Sequence, residues 1–189
     1  MKETSYYPYL ANLLSTIGKS LKPRVRCIIH PHGIGAGLPD GALITTDQKS
    51  AASDPLSEGL IPARGVIEIK SPDADAKVVA SSEQVTKYIA KYGLVLLTNL
   101  REFIIMGRVD GKPRQLEVFT IAASPKDFWK AVANPQKLTE FIGASFHEYL
   151  IRALLQAAPL TSPKEVAWFL ASYARDAKAR IDAQADLPA

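Results

Sequence analysis

Thiols are nearly missing from this chain. Cys27 stands alone among 189 residues, which excludes an internal disulfide framework and any cluster of thiolate ligands. Cys27 lies in the apolar run "RCII" and reads as a buried thiol. Histidine is scarce too, at three residues. His30 and His32 share "HPH", one strand repeat apart, but without a nearby third His or a Cys cluster they read as turn residues rather than a zinc site. His147 reads as a helix-face residue. No stretch approaches the roughly 20 apolar residues of a membrane helix. The N-terminal "MKETSYYPYLANLL" carries Lys2 and Glu3 and lacks an uninterrupted apolar core or cleavage site, so it is not read as a signal peptide. Together these features lead us to expect a cytoplasmic protein with no membrane partner. Internal repeats and low-complexity tracts are absent.

Charge of one sign is not dominant either. A net charge of +4 admits a polyanionic partner without requiring one. What is present, 47% hydrophobic and 22% charged residues, is the composition of a folded domain rather than a disordered one.

Periodicity predicts a first helix in "SYYPYLANLLSTIGKSL", where Leu10, Leu13, Leu14 and Ile17 recur at helical spacing before Gly18. "RVRCIIHP" and "GALITT" read as strands around a glycine-dense turn. "GIGAG" (33–37) runs into Pro39 and a strand instead of a helix N-terminus. It has neither a following Lys-Ser or Lys-Thr pair nor an Asn-Pro-Pro-aromatic partner motif. It is therefore read as a turn and not as a phosphate loop. Residues 47–64 are small, polar and proline-bearing, which predicts a long mobile loop. "RGVIEIK" is a strand. "DADAKVVASSEQVTKYIAKYG" is expected as one helix, capped by Asp75 or Ser81 and closed at Gly93. "LVLLT", "EFIIMGRV" and an edge strand "QLEVFTI" follow. A strand–helix–strand unit over 65–98 implies a parallel pair. From residue 124 the pattern is helical, and Ser162, Pro163 and Glu165 open the last helix. The expected fold is thus a mixed α/β sheet flanked by helices with a C-terminal helical extension, divided into 1–123 and 124–189.

The strand "GVIEIK" poses a chemical question. Glu68 and Lys70 lie two apart and share a face, and a charge on so apolar a strand must be paired, solvated or bound to an ion. The simplest reading is an ion-paired couple. Asp40, held by Pro39 at the entry of "GALITT", changes the weighing. If the two strands are neighbours, Asp40 and Glu68 converge at one sheet end beside Lys70. Two carboxylates and a backbone carbonyl form a hard, oxygen-rich site suited to Mg²⁺. A lysine there can orient the attacking water and steady charge on phosphorus.

"PDG", a step of 28 residues from Asp40 to Glu68, and "EIK" resemble the PD-(D/E)xK, restriction-endonuclease-like nuclease superfamily. "QVTKY" also matches the QxxxY motif that follows the catalytic lysine in one branch of it. Gln84 and Tyr88 are one helical turn apart and face the same way; the plainer alternative is a capping box from Ser81 to Gln84 with Tyr88 in the core. "ETSYYPYLANLL", "GLPDGALI", "GVIEIKSPDAD", "EQVTKY" and "LVLLTNLREFIIM", within residues 3–121, are similar to the N-terminal nuclease domain of single-chain restriction–modification enzymes, where a helical connector leads to an adenine-specific methyltransferase. No methyltransferase motif is present here.

The resemblance implies a restriction-endonuclease-like sheet and a Mg²⁺-dependent DNA endonuclease, with Mn²⁺ as a substitute, leaving a 5′ phosphate. It implies metal ligation by Asp40, Glu68 and the Ile69 carbonyl, with Glu3 as a first-helix acid that assists. Lys70 and Gln84 join Asp40 and Glu68 as the catalytic set. Tyr88, Lys77, Lys87 and Lys91 would contact the DNA backbone, although the three lysines read equally well as a solvated helix face. Double-stranded DNA is the expected partner, alongside a methyltransferase domain or subunit, and a homodimer is compatible with this reading. Two rivals stand beside it: a nuclease fold that binds DNA or protein without cutting, and an interaction module acting through the tail stripe Val166, Phe169, Leu170, Tyr173 and Ile181.

Overall fold

The computed structural model describes residues 3–29, 38–48, 61–156 and 163–185. The "HPH" histidines, the "GIGAG" turn and most of the expected mobile loop lie outside the described residues. The chain forms two compact units, 1–157 and 158–189.

In the first unit a 3-10 turn, Glu3–Tyr6, leads into α1 (Tyr7–Gly18). Six strands follow: β1 (Val25–Ile29), β2 (Gly41–Thr45), β3 (Val66–Ile69), β4 (Val95–Thr98), β5 (Glu102–Val109) and β6 (Lys112–Thr120). Between β3 and β4 run α2 (Ala76–Ala80) and α3 (Glu83–Tyr92), and after β6 come α4 (Pro125–Val132) and α5 (Pro135–Leu155). The strands line up in sequence order in one mixed sheet. Among the described strands only the β3–β4 pair is parallel, with Glu68 opposite Leu97 and Ile69 opposite Thr98. α2 and α3 span that pair, since a parallel neighbour needs a crossover.

Alternation along the central strands splits the core in two. Ile67 and Ile69 face Leu10, Leu14 and Ile17 of α1 and Tyr149, Leu150, Ala153 and Leu154 of α5. Val66 instead joins Val85, Tyr88 and Ile89 of α3 and Leu97 of β4. Glu68 falls on this second face, two residues from Val66. Gly65 turns the chain into β3 at φ 83°, where an added Cβ would lie 2.4 Å from the Leu94 carbonyl oxygen.

Two expectations are corrected by the fold. The helix expected over 73–93 is broken. Asp75 caps α2 by accepting from Lys77 N and Val78 N, and Ser82, in an extended conformation, caps α3 by accepting from Val85 N. Adjacent serines favour a second cap over an unbroken helix, because each hydroxyl competes with the backbone ladder. Ser82, and not Ser81, is the cap of α3. The division near residue 123 also moves. The C-terminal half of α5 completes the core on α1, where Tyr149 donates to the Phe103 carbonyl at 2.7 Å. Arg152 is ion-paired with Glu117 of β6, both nearly fully buried. The first unit therefore extends to residue 157.

The second unit contains α6 (Pro163–Ala185), with i,i+4 pairs between Asp176 and Arg180 and between Lys178 and Asp182 along it. No described helix is long and apolar enough to cross a membrane.

Candidate active site

The register of β2 and β3 decides which side chains meet. Gly41 pairs with Ile67 and Ala42 with Val66, so one step further along the same antiparallel register sets Asp40 opposite Glu68. Amide groups on a strand alternate sides. Lys70 N donates to the Thr98 carbonyl at 2.8 Å on the β4 side, which turns the Ile69 N–H toward β2. Proline at 39 begins the entry to β2, and the Asp40 side chain meets this N–H itself: Ile69 N donates to Asp40 Oδ2 at 2.7 Å. Because a strand residue's N–H and C=O share one edge in antiparallel pairing, the Ile69 carbonyl also faces the Asp40 side.

Glu68 is 1% exposed, and a carboxylate so buried requires a counter-charge. Lys70 supplies it, with Nζ 2.5 Å from Glu68 Oε1. The Lys70 side chain keeps 28% of its surface accessible, so the ammonium links a buried acid to solvent. The ion pair lies on the strand whose Ile69 amide donates to the second carboxylate, Asp40.

From α3, Tyr88 packs over this face in the second core. Gln84 Nε2 donates to the Tyr88 hydroxyl at 2.7 Å, one helical turn along α3, while the Tyr88 ring itself is buried. Burial, acting first, pushes the Tyr88 phenol up to about 12. The Gln84 amide works the other way, and the Glu68 and Asp40 carboxylates reinforce the rise. Tyr88 thus senses both acids and remains a protonated donor at neutral pH. Asp40, Glu68, Lys70, Gln84 and Tyr88 form one constellation.

The remaining candidates fall elsewhere. Lys77, Lys87 and Lys91 are exposed on α2 and α3. Lys87 is bound to Glu83 at 2.7 Å, which holds the Glu83 carboxyl below its ordinary value, and Lys91 lies 5.0 Å over the Tyr92 ring. The side chain of Glu3 is outside what the structure describes. His147 is exposed on α5. Among the described residues no three His, Cys, Asp or Glu side chains gather at a common point. A metal here would rest on Asp40, Glu68 and the Ile69 carbonyl, a hard oxygen set that fits Mg²⁺ with its retained waters.

Sequence reasoning missed Asn99 and Arg101, both almost fully buried. "TNLREF" reads as a plain turn between strands, and a surface arginine is the ordinary expectation there. The one usable signal is Asn at a tight turn, where its side chain can bond to the backbone two residues on. No family model, curated protein or solved structure matches this chain.

Proposed function

We propose that this protein is a divalent-metal-dependent DNA endonuclease of the restriction-endonuclease-like class, working in a restriction–modification system beside a methyltransferase domain or subunit. The observation that carries the reading is the Asp40 carboxylate bonded to the Ile69 amide across the strand from the Glu68–Lys70 pair. The same charges on an ordinary surface strand would be solvated, whereas here an acid is buried at the end of a sheet with its cationic partner reaching outward.

In this mechanism each residue has a defined task. Asp40 and Glu68 would hold the ion, and the bond from Ile69 N to one Asp40 oxygen sets the direction of the other. A bound Mg²⁺ or Mn²⁺ would supply Lewis acidity toward the scissile phosphate and acidify bound water. Lys70 orients the water and steadies negative charge developing on the phosphoryl oxygens. Tyr88, held by Gln84, offers a protonated hydroxyl to the phosphate backbone. Lys77, Lys87 and Lys91 neutralise neighbouring phosphates, at the expense of the Glu83 pairing in the case of Lys87.

Support for a second reading, an interaction module, comes from α6, where Val166, Leu170, Tyr173 and Ile181 are exposed. Incubation with linear, supercoiled and single-stranded DNA, with Mg²⁺ or Mn²⁺ and with EDTA, separates the two. The nuclease reading predicts cleavage that EDTA removes. Intact DNA under every metal condition would favour the interaction module.

A further inference from the structure

Arg101 is 5% exposed, and among the described residues the carboxylate recorded against its guanidinium, Glu102 Oε2, lies 3.9 Å from Nη1, beyond hydrogen-bond distance. It is satisfied by carbonyls instead. Nε donates to Pro72 O at 2.6 Å, Nη2 to Ala74 O at 3.2 Å, and Nη1 to Ala123 O at 2.9 Å and Ala122 O at 3.4 Å. A planar fork of five donors suits this task and an ammonium does not. Asn99 adds a second clamp on the same segment, with Nδ2 donating to Ala74 O at 2.8 Å. Its Oδ1 accepts from the amides of Arg101 and Glu102 at 3.1 and 2.8 Å, which fixes the turn from which Arg101 projects.

The clamped segment begins immediately after Lys70. It then passes through the Asp75 cap into α2 and on to α3, which carries Gln84 and Tyr88. Lys70 itself is bonded through its amide to Thr98, the residue before Asn99. One short stretch of chain, 98–101, therefore holds Lys70 from its own backbone and from the turn that follows it. It also joins the strand half of the site to the helix half.

We propose that Arg101 and Asn99 are positioning residues of this site, fixing the Lys70 ammonium against Glu68 by gripping the Pro72 and Ala74 carbonyls. This inference rests on the nuclease reading above. Neither side chain touches substrate, and they act through the backbone on either side of Lys70. Fixing the two halves together matters because a displacement of about 1 Å at a reacting group can lower a rate by about 100-fold.

The test compares wild type with Arg101→Lys, which keeps the charge but loses the fork, at a temperature well below both melting points. Asn99→Asp is the companion, because it keeps the Oδ acceptor of the turn and replaces the donor to Ala74 by a carboxylate oxygen, which repels that carbonyl at a fully buried position. Each variant is expected to lose about 10- to 100-fold in kcat, with KM for DNA within about threefold. The Lys70 and Ala74 amides, bonded to Thr98 O and Ser71 O, are expected to exchange hydrogen faster while the central β4 amides do not. A merely structural role lowers the melting point and leaves kcat of the folded protein unchanged; that result in both variants overturns the proposal. A wild type that cuts no DNA overturns the nuclease reading beneath it, and the positioning role falls with it.

Discussion

The Lys70 ammonium stands 2.5 Å from one oxygen of Glu68, so any divalent ion held by Glu68 must share that carboxylate with a second positive charge. Removing the ammonium lowers the electrostatic opposition to the ion. Lys70→Met is expected to lose at least about 100-fold in cleavage rate while binding Mg²⁺ about tenfold more tightly. Calorimetric titration of both proteins with Mg²⁺ checks the second part. Weaker binding by the variant would mean that Lys70 supports the ion instead of opposing it.

Asp40→Asn separates architecture from ligation. An asparagine carbonyl can still accept from Ile69 N, so the strand end should survive with a loss of about 1 kcal/mol or less. The ligand charge is gone. Ion binding to the folded state stabilises wild type by roughly 2.7 kcal/mol at a hundredfold excess over the dissociation constant, and this gain should largely disappear in the variant. Thermal melts with and without Mg²⁺ measure it, with Asp110→Asn on the β5–β6 hairpin as the control that keeps the full shift.

The buried Arg152–Glu117 pair ties α5 to β6. Arg152→Ala removes a counter-charge from a carboxylate that is 8% exposed, and is expected to lower stability by about 3–5 kcal/mol in urea denaturation. Replacing both partners by Met and Leu should be far milder, since neither leaves an uncompensated charge. Equal losses in the single and double variants would show that packing, and not charge, dominates there.

Burial pushes the Cys27 thiol from 9.0 up to about 12. The folded state then holds its proton where the unfolded state has released it, so this contribution is intact below pH 9 and declines as pH rises toward 12. Chemical denaturation at pH 8 and pH 10.5 should reveal the decline, and Cys27→Ala should lessen it. Alkylation of native protein at pH 8 is expected to be slow compared with the unfolded chain, because the thiolate is the reactive form.

Much of the fold was legible because its determinants are local. Leu10, Leu14 and Ile17 announce α1, and the all-apolar "LVLL" announces a central strand. The nearness of Asp40 to the Glu68 strand was legible because it follows from strand entry and two-residue alternation. Other features depend on contacts made across the chain. "FHEYLIRALL" shows an apolar helix but not that Tyr149 reaches Phe103 or that Arg152 finds Glu117. Arg101 looks like a surface charge until four carbonyls from two distant segments converge on it. The break between α2 and α3 was written in Ser81 and Ser82, where helical periodicity on both sides concealed the second cap.

Asp40, Glu68 and Lys70 are proposed to form a metal-dependent hydrolytic site for DNA. The most direct measurement is cleavage of one DNA substrate by wild type and Glu68→Ala in parallel, each in Mg²⁺ and in EDTA, with folding of both proteins verified by melting. The account predicts products only from wild type in Mg²⁺, with a loss of at least about 100-fold in the variant. Cleavage by folded Glu68→Ala at the wild-type rate would contradict it.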